Sequence, residues 1–137
     1  MSTPNVTACV GETKTQRRYN SSSVSLFDGD HGAKFVYDRS SEVQAAKLLR
    51  QPVVALETTI YTHGFPYPEN LDLALSLEQI VRDNGGVPAT VGIIDSQICV
   101  GMSKDQITRL ASSAGKPETM KVSRRDIPYI IGMVSYP

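Results

Sequence analysis

Hydrophobic and polar positions fall into a regular rhythm only from Ser40 onward. Ser40 or Ser41 is placed to cap a helix, with Glu42 in its positive first turn. Val43, Ala46, Leu48 and Leu49 then make a short apolar stripe that runs to Arg50, ahead of Pro52. Val53-Val54-Ala55-Leu56 is an unbroken apolar run ending at Glu57. Such a run predicts a strand buried on both faces of a parallel or mixed sheet. Gly64, Pro66 and Pro68 predict a loop over Thr58–Tyr67. Glu69–Asn84 carries Leu73, Leu77, Ile80 and Val81 at helical spacing, acids at its start, Arg82 near its end and Gly85 as a left-handed stop.

A second buried strand is predicted within Pro88–Asp95, over Thr90–Ile94, with Gln97–Val100 as its continuation or hairpin partner across Asp95-Ser96. Ser103 caps a third helix through Ala111 that turns Ile107, Leu110 and Ala111 inward, and Ser112–Glu118 is a loop. Val122 is a short extended position, and Arg124–Met133 opens a last helix with Pro128 in its first turn, where proline is tolerated. Helices alternating with apolar strands predict an α/β fold, here an incomplete α/β/α layer on a partial mixed sheet.

Before Ser40 that rhythm is missing. Met1–Asp38 is rich in Ser, Thr and Asn, with a polar tract at Asn20–Ser25. Such a segment buries too little apolar surface to offset its ordering entropy, which predicts a disordered tail over 1–39 and a domain over 40–137. Arg17-Arg18-Tyr19 before the serine run, with few acids ahead of Asp28, lends the tail a faint transit-peptide character. A cytoplasmic location is expected, with a mitochondrial one as the alternative.

Composition narrows the classes further. Of 137 residues, 40% are hydrophobic and 20% charged, which suits a globular domain. Lys plus Arg and Asp plus Glu balance at 14 each, so long-range attraction to nucleic acid or an anionic membrane is not expected. No apolar run approaches the roughly 18 residues of a membrane-spanning helix. Cys9 and Cys99 lack partners at metal spacing and read as free thiols of a reducing compartment. No P-loop, GxGxxG, CxxC or HExxH occurs, and His31 and His63 are the only histidines.

Two residues carry candidate chemistry. Glu57 follows an apolar run at the carboxyl end of a predicted strand, where open α/β sheets gather ligands. A carboxyl there suits general acid work, although a strand-end glutamate turned to solvent is the commoner case. Lys121, within Lys121–Asp126 (KVSRRD), offers a compact flexible cation for a phosphate, although such a basic cluster is more often solvated surface.

Three stretches taken in order sharpen this reading: Pro52–Pro68 (PVVALETTIYTHGFPYP), Pro88–Ser103 (PATVGIIDSQICVGMS) and KVSRRD. Together they resemble the pseudouridine-5'-phosphate glycosidases, the indigoidine synthase A-like family, from about Val43 to Met133. The resemblance implies reversible cleavage of a carbon–carbon glycosidic bond, giving uracil and ribose 5-phosphate. It implies Glu57 as proton donor in ring opening and Lys121 as a contact to the sugar phosphate. It also implies a lysine imine as electron sink and a divalent metal, typically manganese, in homo-oligomeric members. The imine-forming lysine and the metal-binding aspartate have no matched position here, so no metal ligand is assigned. Thr58, Thr59 and His63 are candidates either for shaping the pocket or for holding structure. Arg124–Asp126 are expected to fix their loop.

Family members continue well past Met133, so the chain reads as a truncated N-terminal part, inactive alone, with exposed strand edges. The alternative is a non-catalytic partner of full-length family subunits. A small phosphate-binding module of other descent fits the three stretches less well. Glu57 and Lys121 are expected to face one shared concave region.

Overall fold

The computed structural model describes residues 6–9 and 37–132. The described elements are β1 (Val6–Cys9), β2 (Tyr37–Arg39), α1 (Ser41–Leu48), β3 (Val53–Glu57), α2 (Thr59–His63), α3 (Glu69–Asp83), β4 (Val87–Ile94), β5 (Gln97–Val100), α4 (Lys104–Ser112), β6 (Thr119–Val122) and α5 (Ile127–Gly132). The six strands form one mixed sheet in the order β2-β5-β4-β1-β6, with β3 also paired to β4. Pairs β1–β4, β2–β5 and β3–β4 are parallel, whereas β4–β5 and β1–β6 are antiparallel.

β4 is the spine, and its backbone groups alternate between two edges. The Thr90 carbonyl accepts from the N–H groups of Gly101 (2.9 Å) and Met102 (3.2 Å), just past β5. Val87 instead donates its N–H to the Pro52 carbonyl at 2.8 Å, just ahead of β3. β3 therefore lies on the edge of β4 opposite β5. β1 lies on that same edge: β3 runs beside Val87–Val91 and β1 beside Ile93 and Ile94.

Side chains alternate across the sheet, so neighbouring Ile93 and Ile94 anchor different cores. Ile94 packs with Tyr61, Ala74, Cys99, Met102, Ile107 and Leu110 beneath α2, α3 and α4. Ile93 packs on the other face with Ile98, Val122 and Ile130 of α5. Helices on both faces of a mixed sheet make the α/β/α layering that the sequence predicts. The β4–β5 hairpin closes through Asp95 (φ 49°) and Ser96 (φ 59°), the two left-handed residues of a tight primed turn. Arg109 of α4 grips the Asp95 carboxylate with two hydrogen bonds of 2.7 and 2.8 Å.

Four sequence expectations change. β3, predicted to be buried, is exposed over most of its length, because it pairs with β4 alone and no described element flanks its other edge. Residues 58–67 contain α2, a single helical turn that the Gly and Pro signals hide. On α3 the fully buried positions are Asn70 and Ala74, with Leu71 and Leu77 packed against the core, whereas Ile80 faces outward. Within 1–39, expected to be a disordered tail, Val6–Cys9 and Tyr37–Arg39 are strands; the other positions before residue 37 lie outside the described residues. Both strands are short and gain their stability from partners far along the chain, which no local pattern reveals.

Ser40 accepts a hydrogen bond from the Val43 N–H (3.2 Å), and Ser103 forms a capping box with Gln106, so both predicted helix caps are made. Two glycines give a contrast that tests the packing. Gly101 (φ +80°) would place an added Cβ 2.3 Å from Ser40 Oγ and 2.7 Å from Val43, whereas Gly85 (φ +77°) has open space around it. Gly85→Ala is expected to cost about 1–2 kcal/mol, the backbone penalty alone. Gly101→Ala adds an overpacking cost of about 1–3 kcal/mol through the α1 cap. Urea unfolding of the two variants measures the difference, and equal midpoints would contradict this arrangement.

Candidate active site

The turn from β3 into α2 is built by threonines. Thr58, fully buried, donates its hydroxyl to the Val91 carbonyl at 3.0 Å, pinning the point where β3 leaves β4. The next residue opens α2, whose first N–H groups have no partner within the helix. One of them, the Thr59 N–H, donates to Glu57 Oε2 at 2.9 Å. Glu57 thus stands at the carboxyl end of β3, its carboxylate exposed but turned toward the start of α2. Thr62 returns its hydroxyl to the Thr58 carbonyl (3.3 Å) and lies 2.8 Å from His63 Nδ1, with His63 exposed. The Thr58 and Thr62 hydroxyls thus bond to backbone and to a neighbouring ring, while His63 remains open to solvent.

Tyr61 anchors the turn from below. Its ring is buried in the core, and its phenol is pushed up to about 12, first by burial and then by the negative charges of Glu78 and Glu57, with the Thr90 hydroxyl opposing the rise. The hydroxyl therefore stays protonated at neutral pH. Asn70 ties α2 to the helices behind it. Its amide nitrogen donates to the Tyr61 carbonyl (2.5 Å) and the Ala111 carbonyl (2.8 Å), joining α2, α3 and α4 from a fully buried position. The helical pattern of α3 hides this polar clamp, although an asparagine one turn from Ala74 on the inner face was a legible signal.

Lys121 lies in β6, exposed, and pairs with position 7 of β1. The registers separate it from Glu57. Glu57 pairs with Val91, and Ala8 with Ile93, so Glu57 shares the face of those odd-numbered β4 positions. Lys121 falls one residue out of step, on the opposite face from its buried neighbour Val122. The expected single concave region facing both side chains is not what the strands make, since a one-residue offset inverts the face. β1 also lies between the strands that carry them.

The rest of KVSRRD is a fixed turn, as expected. Asp126 Oδ2 accepts from the Ser123 N–H (2.8 Å) and hydroxyl (2.7 Å), and Ser123 Oγ accepts from the Arg125 N–H (3.3 Å). These bonds from Ser123 hold the Asp126 carboxyl below its ordinary value. Burial pushes the Cys99 thiol up to about 11, with the Asp38 charge adding to the rise, so Cys99 is a protonated packing residue. A cavity of about 700 Å³ opens elsewhere, between Glu42, Glu78, Arg82, Cys99 and Lys104, and neither Glu57 nor Lys121 lines it. Among the described residues no three His, Cys, Asp or Glu side chains converge on a metal-sized site, so these residues do not fit a manganese centre. No described helix is long and apolar enough to cross a membrane.

The fold and site together define a class: a layered α/β domain that presents a carboxylate where a marginal strand meets a threonine-rich helical turn. Residues 42–136 match the family described as Indigoidine synthase A like protein, and the chain belongs to that family. It is 56% identical over 94 residues to the pseudouridine-5'-phosphate glycosidase of Hahella chejuensis, covering 69% of this chain and 30% of that protein. It is 47% identical over 94 residues to the one from Staphylococcus aureus, again over 69% and 30%. The chain spans about 30% of the length of such curated relatives. Among solved structures, an indigoidine synthase A-like protein from Thermotoga maritima aligns with a TM-score of 0.59 at 26% identity, over 76% of this chain and 32% of that one. The prealnumycin C-glycosynthase AlnA, in complex with ribulose 5-phosphate, aligns at 0.58 and 36% identity, over 71% of this chain and 30% of that one.

Two measurements test the site's scaffold. Asn70→Ala should destabilise the chain by about 2–4 kcal/mol, because two buried carbonyls lose their donor; a loss under about 0.5 kcal/mol would contradict the clamp. The Asp126 carboxyl, followed by NMR, should titrate below about 3.9 and move up toward that value in Ser123→Ala. A lowered folded pKa stabilises the turn above the unfolded value and loses that stabilisation as pH falls through the folded one, so the turn loosens only in strong acid.

Proposed function

We propose that this chain carries the acid-bearing part of a pseudouridine-5'-phosphate glycosidase, with Glu57 as the proton donor. The supporting observation is the position of Glu57, at a strand's carboxyl end beside the first turn of α2, in a chain 56% identical to a protein of that name. The exposed carboxylate is free to meet a substrate, and the Thr59 N–H keeps it from swinging away from the strand end. As a carboxylic acid it would give its proton to the ribose ring oxygen as the ring opens. General acid assistance of this kind contributes about 10²–10⁴-fold.

Lys121 is proposed as the phosphate ligand. It is exposed and makes no ion pair among the described residues. Sugar-phosphate recognition is supported by AlnA, which is 36% identical and was solved with ribulose 5-phosphate. Because Glu57 and Lys121 occupy opposite faces, a ligand touching both must straddle the end of β3 rather than lie on one face. The remaining steps, including the imine and any manganese, fall to residues outside those matched here.

The decisive assay joins this chain to the missing portion of a relative such as the Hahella enzyme and measures uracil release from pseudouridine 5'-phosphate. The joined protein should be active, and Glu57→Ala should lower kcat at least about 100-fold with little change in KM. Lys121→Ala should chiefly raise KM. The 137 residues by themselves should release no uracil. An unimpaired Glu57→Ala protein would refute the assignment of the acid.

A further inference from the structure

His63 is a proton-carrying side chain to which the fold gives no packing duty. It ends α2, and α2 is a single turn whose two faces differ sharply. Tyr61 and Thr62 are 1% and 3% exposed and face the interior. Thr59, half-buried, and His63, exposed, stand four positions apart and therefore share the outward face. Helical side chains lean toward the helix N-terminus, which brings the imidazole back over Thr59. The Thr59 N–H is the group that holds Glu57 Oε2 at 2.9 Å. Carboxylate and imidazole are thus tethered to the two ends of one helical turn, about 6 Å of rise from Thr59 to His63. Among the described residues no ion pair joins them, so neither neutralises the other.

The imidazole is also oriented. The buried Thr62 hydroxyl lies 3.3 Å from the Thr58 carbonyl and 2.8 Å from His63 Nδ1. Whichever atom carries the shared hydrogen, Nδ1 is the engaged nitrogen. Nε2 makes no hydrogen bond or ion pair among the described residues. A ring fixed through one nitrogen and left open at the other is the arrangement in which histidine exchanges protons. The other polar groups of the turn are committed: Tyr61 is buried, and the Thr58 and Thr62 hydroxyls bond to backbone.

We propose that His63 is the second proton donor of the reaction, delivering a proton from Nε2 to the base as the carbon–carbon bond breaks. This deepens the assignment of Glu57 as the first acid and rests on that reaction. Release of uracil needs protons at two places. One goes from Glu57 to the ribose ring oxygen as the ring opens. The other goes to the base. The bond between the anomeric carbon and the base carbon breaks, its electron pair stays with the base carbon, and that carbon takes a proton to become a C–H of free uracil. The anomeric carbon is compensated by the lone pair of the lysine amine bound to it, supplied from outside the matched residues, and water later displaces that amine. Glu57 is a carboxylate once it has given its proton to the ring oxygen. The neighbouring carrier on the same helical turn is His63, which regains its proton from solvent.

The test has two arms. In the 137-residue chain itself, NMR should show nuclear Overhauser contacts between the His63 ring protons and the Thr59 side chain. Their absence would overturn the shared face, and this arm reads out whether or not the joined protein is active. In the protein joined to the missing portion of the Hahella relative, His63→Ala should lower kcat for uracil release at least about 100-fold with KM nearly unchanged. Added imidazole should recover at least about tenfold of that loss in His63→Ala and none in Glu57→Ala, a rescue that a purely structural role would not allow. The thermal midpoint should stay where it is, because the ring is exposed. Full kcat in His63→Ala, or a loss that imidazole does not relieve, would overturn the proposal and leave Glu57 standing if Glu57→Ala is impaired. An unimpaired Glu57→Ala beside an imidazole-rescued His63→Ala would remove the first acid and leave His63.

Discussion

The arrangement around Glu57 depends on how β4 divides its backbone hydrogen bonds. Alternate residues serve β5 on one edge and β3, then β1, on the other. β3 must stop where β1 begins, and Thr58, bonded to the Val91 carbonyl, marks that stop. The chain leaves the sheet there, and the free N–H of Thr59 becomes available to the carboxylate two residues behind it. The position of the candidate acid is thus a by-product of strand accounting along one spine. A buried asparagine amide keeps α2 seated over that junction by satisfying two carbonyls, while its own oxygen has no partner among the described residues.

Much of this was legible in the residues. The apolar run at Thr90–Ile94, the Asp95-Ser96 bend, the Ser40 and Ser103 caps and the inward face of α4 all follow local rules, because each is set by neighbours within a few positions. The family motifs likewise single out Glu57 and Lys121 as candidates. What could not be read was relational. An apolar strand announces that it can be covered, not that something covers it, so β3 reads as interior and stands at a margin. Opposite faces for Glu57 and Lys121 follow from registers set by strands far apart in the chain, and a single step decides the face. The polar interior of α3 was hidden because periodicity scores Leu73 and Ile80 above Asn70, whereas two backbone carbonyls outweigh the hydropathy of one side chain.

The domain also separates its ionic features by role. The paired grip of Arg109 on Asp95 and the contact between Arg82 and Glu42 are partly exposed and contribute little to stability individually. Their effect is positional: one holds the β4–β5 hairpin against α4, the other links α1 to α3. Lys121 has no such anchor among the described residues, and the fold does not consume its charge in an ion pair there.

The place of β1 sets an order of events during synthesis. Val6–Cys9 leaves the ribosome before its partners, which are Ile93 and Ile94 on one side and Thr119–Val122 on the other. This strand must therefore wait until Ile94 has emerged before it can pair with β4, and until Val122 before it can pair with β6. Loop closure over such lengths costs only about 0.6 kcal/mol more per doubling, so the delay is one of search rather than of energy. Meanwhile the β4–β5 hairpin, closed by two residues, can form as soon as Val100 is free. Until β1 arrives, the edge of β4 beside Ile93 and Ile94 stays unpaired, and β6, paired to β1 alone among the described strands, has no place in the sheet.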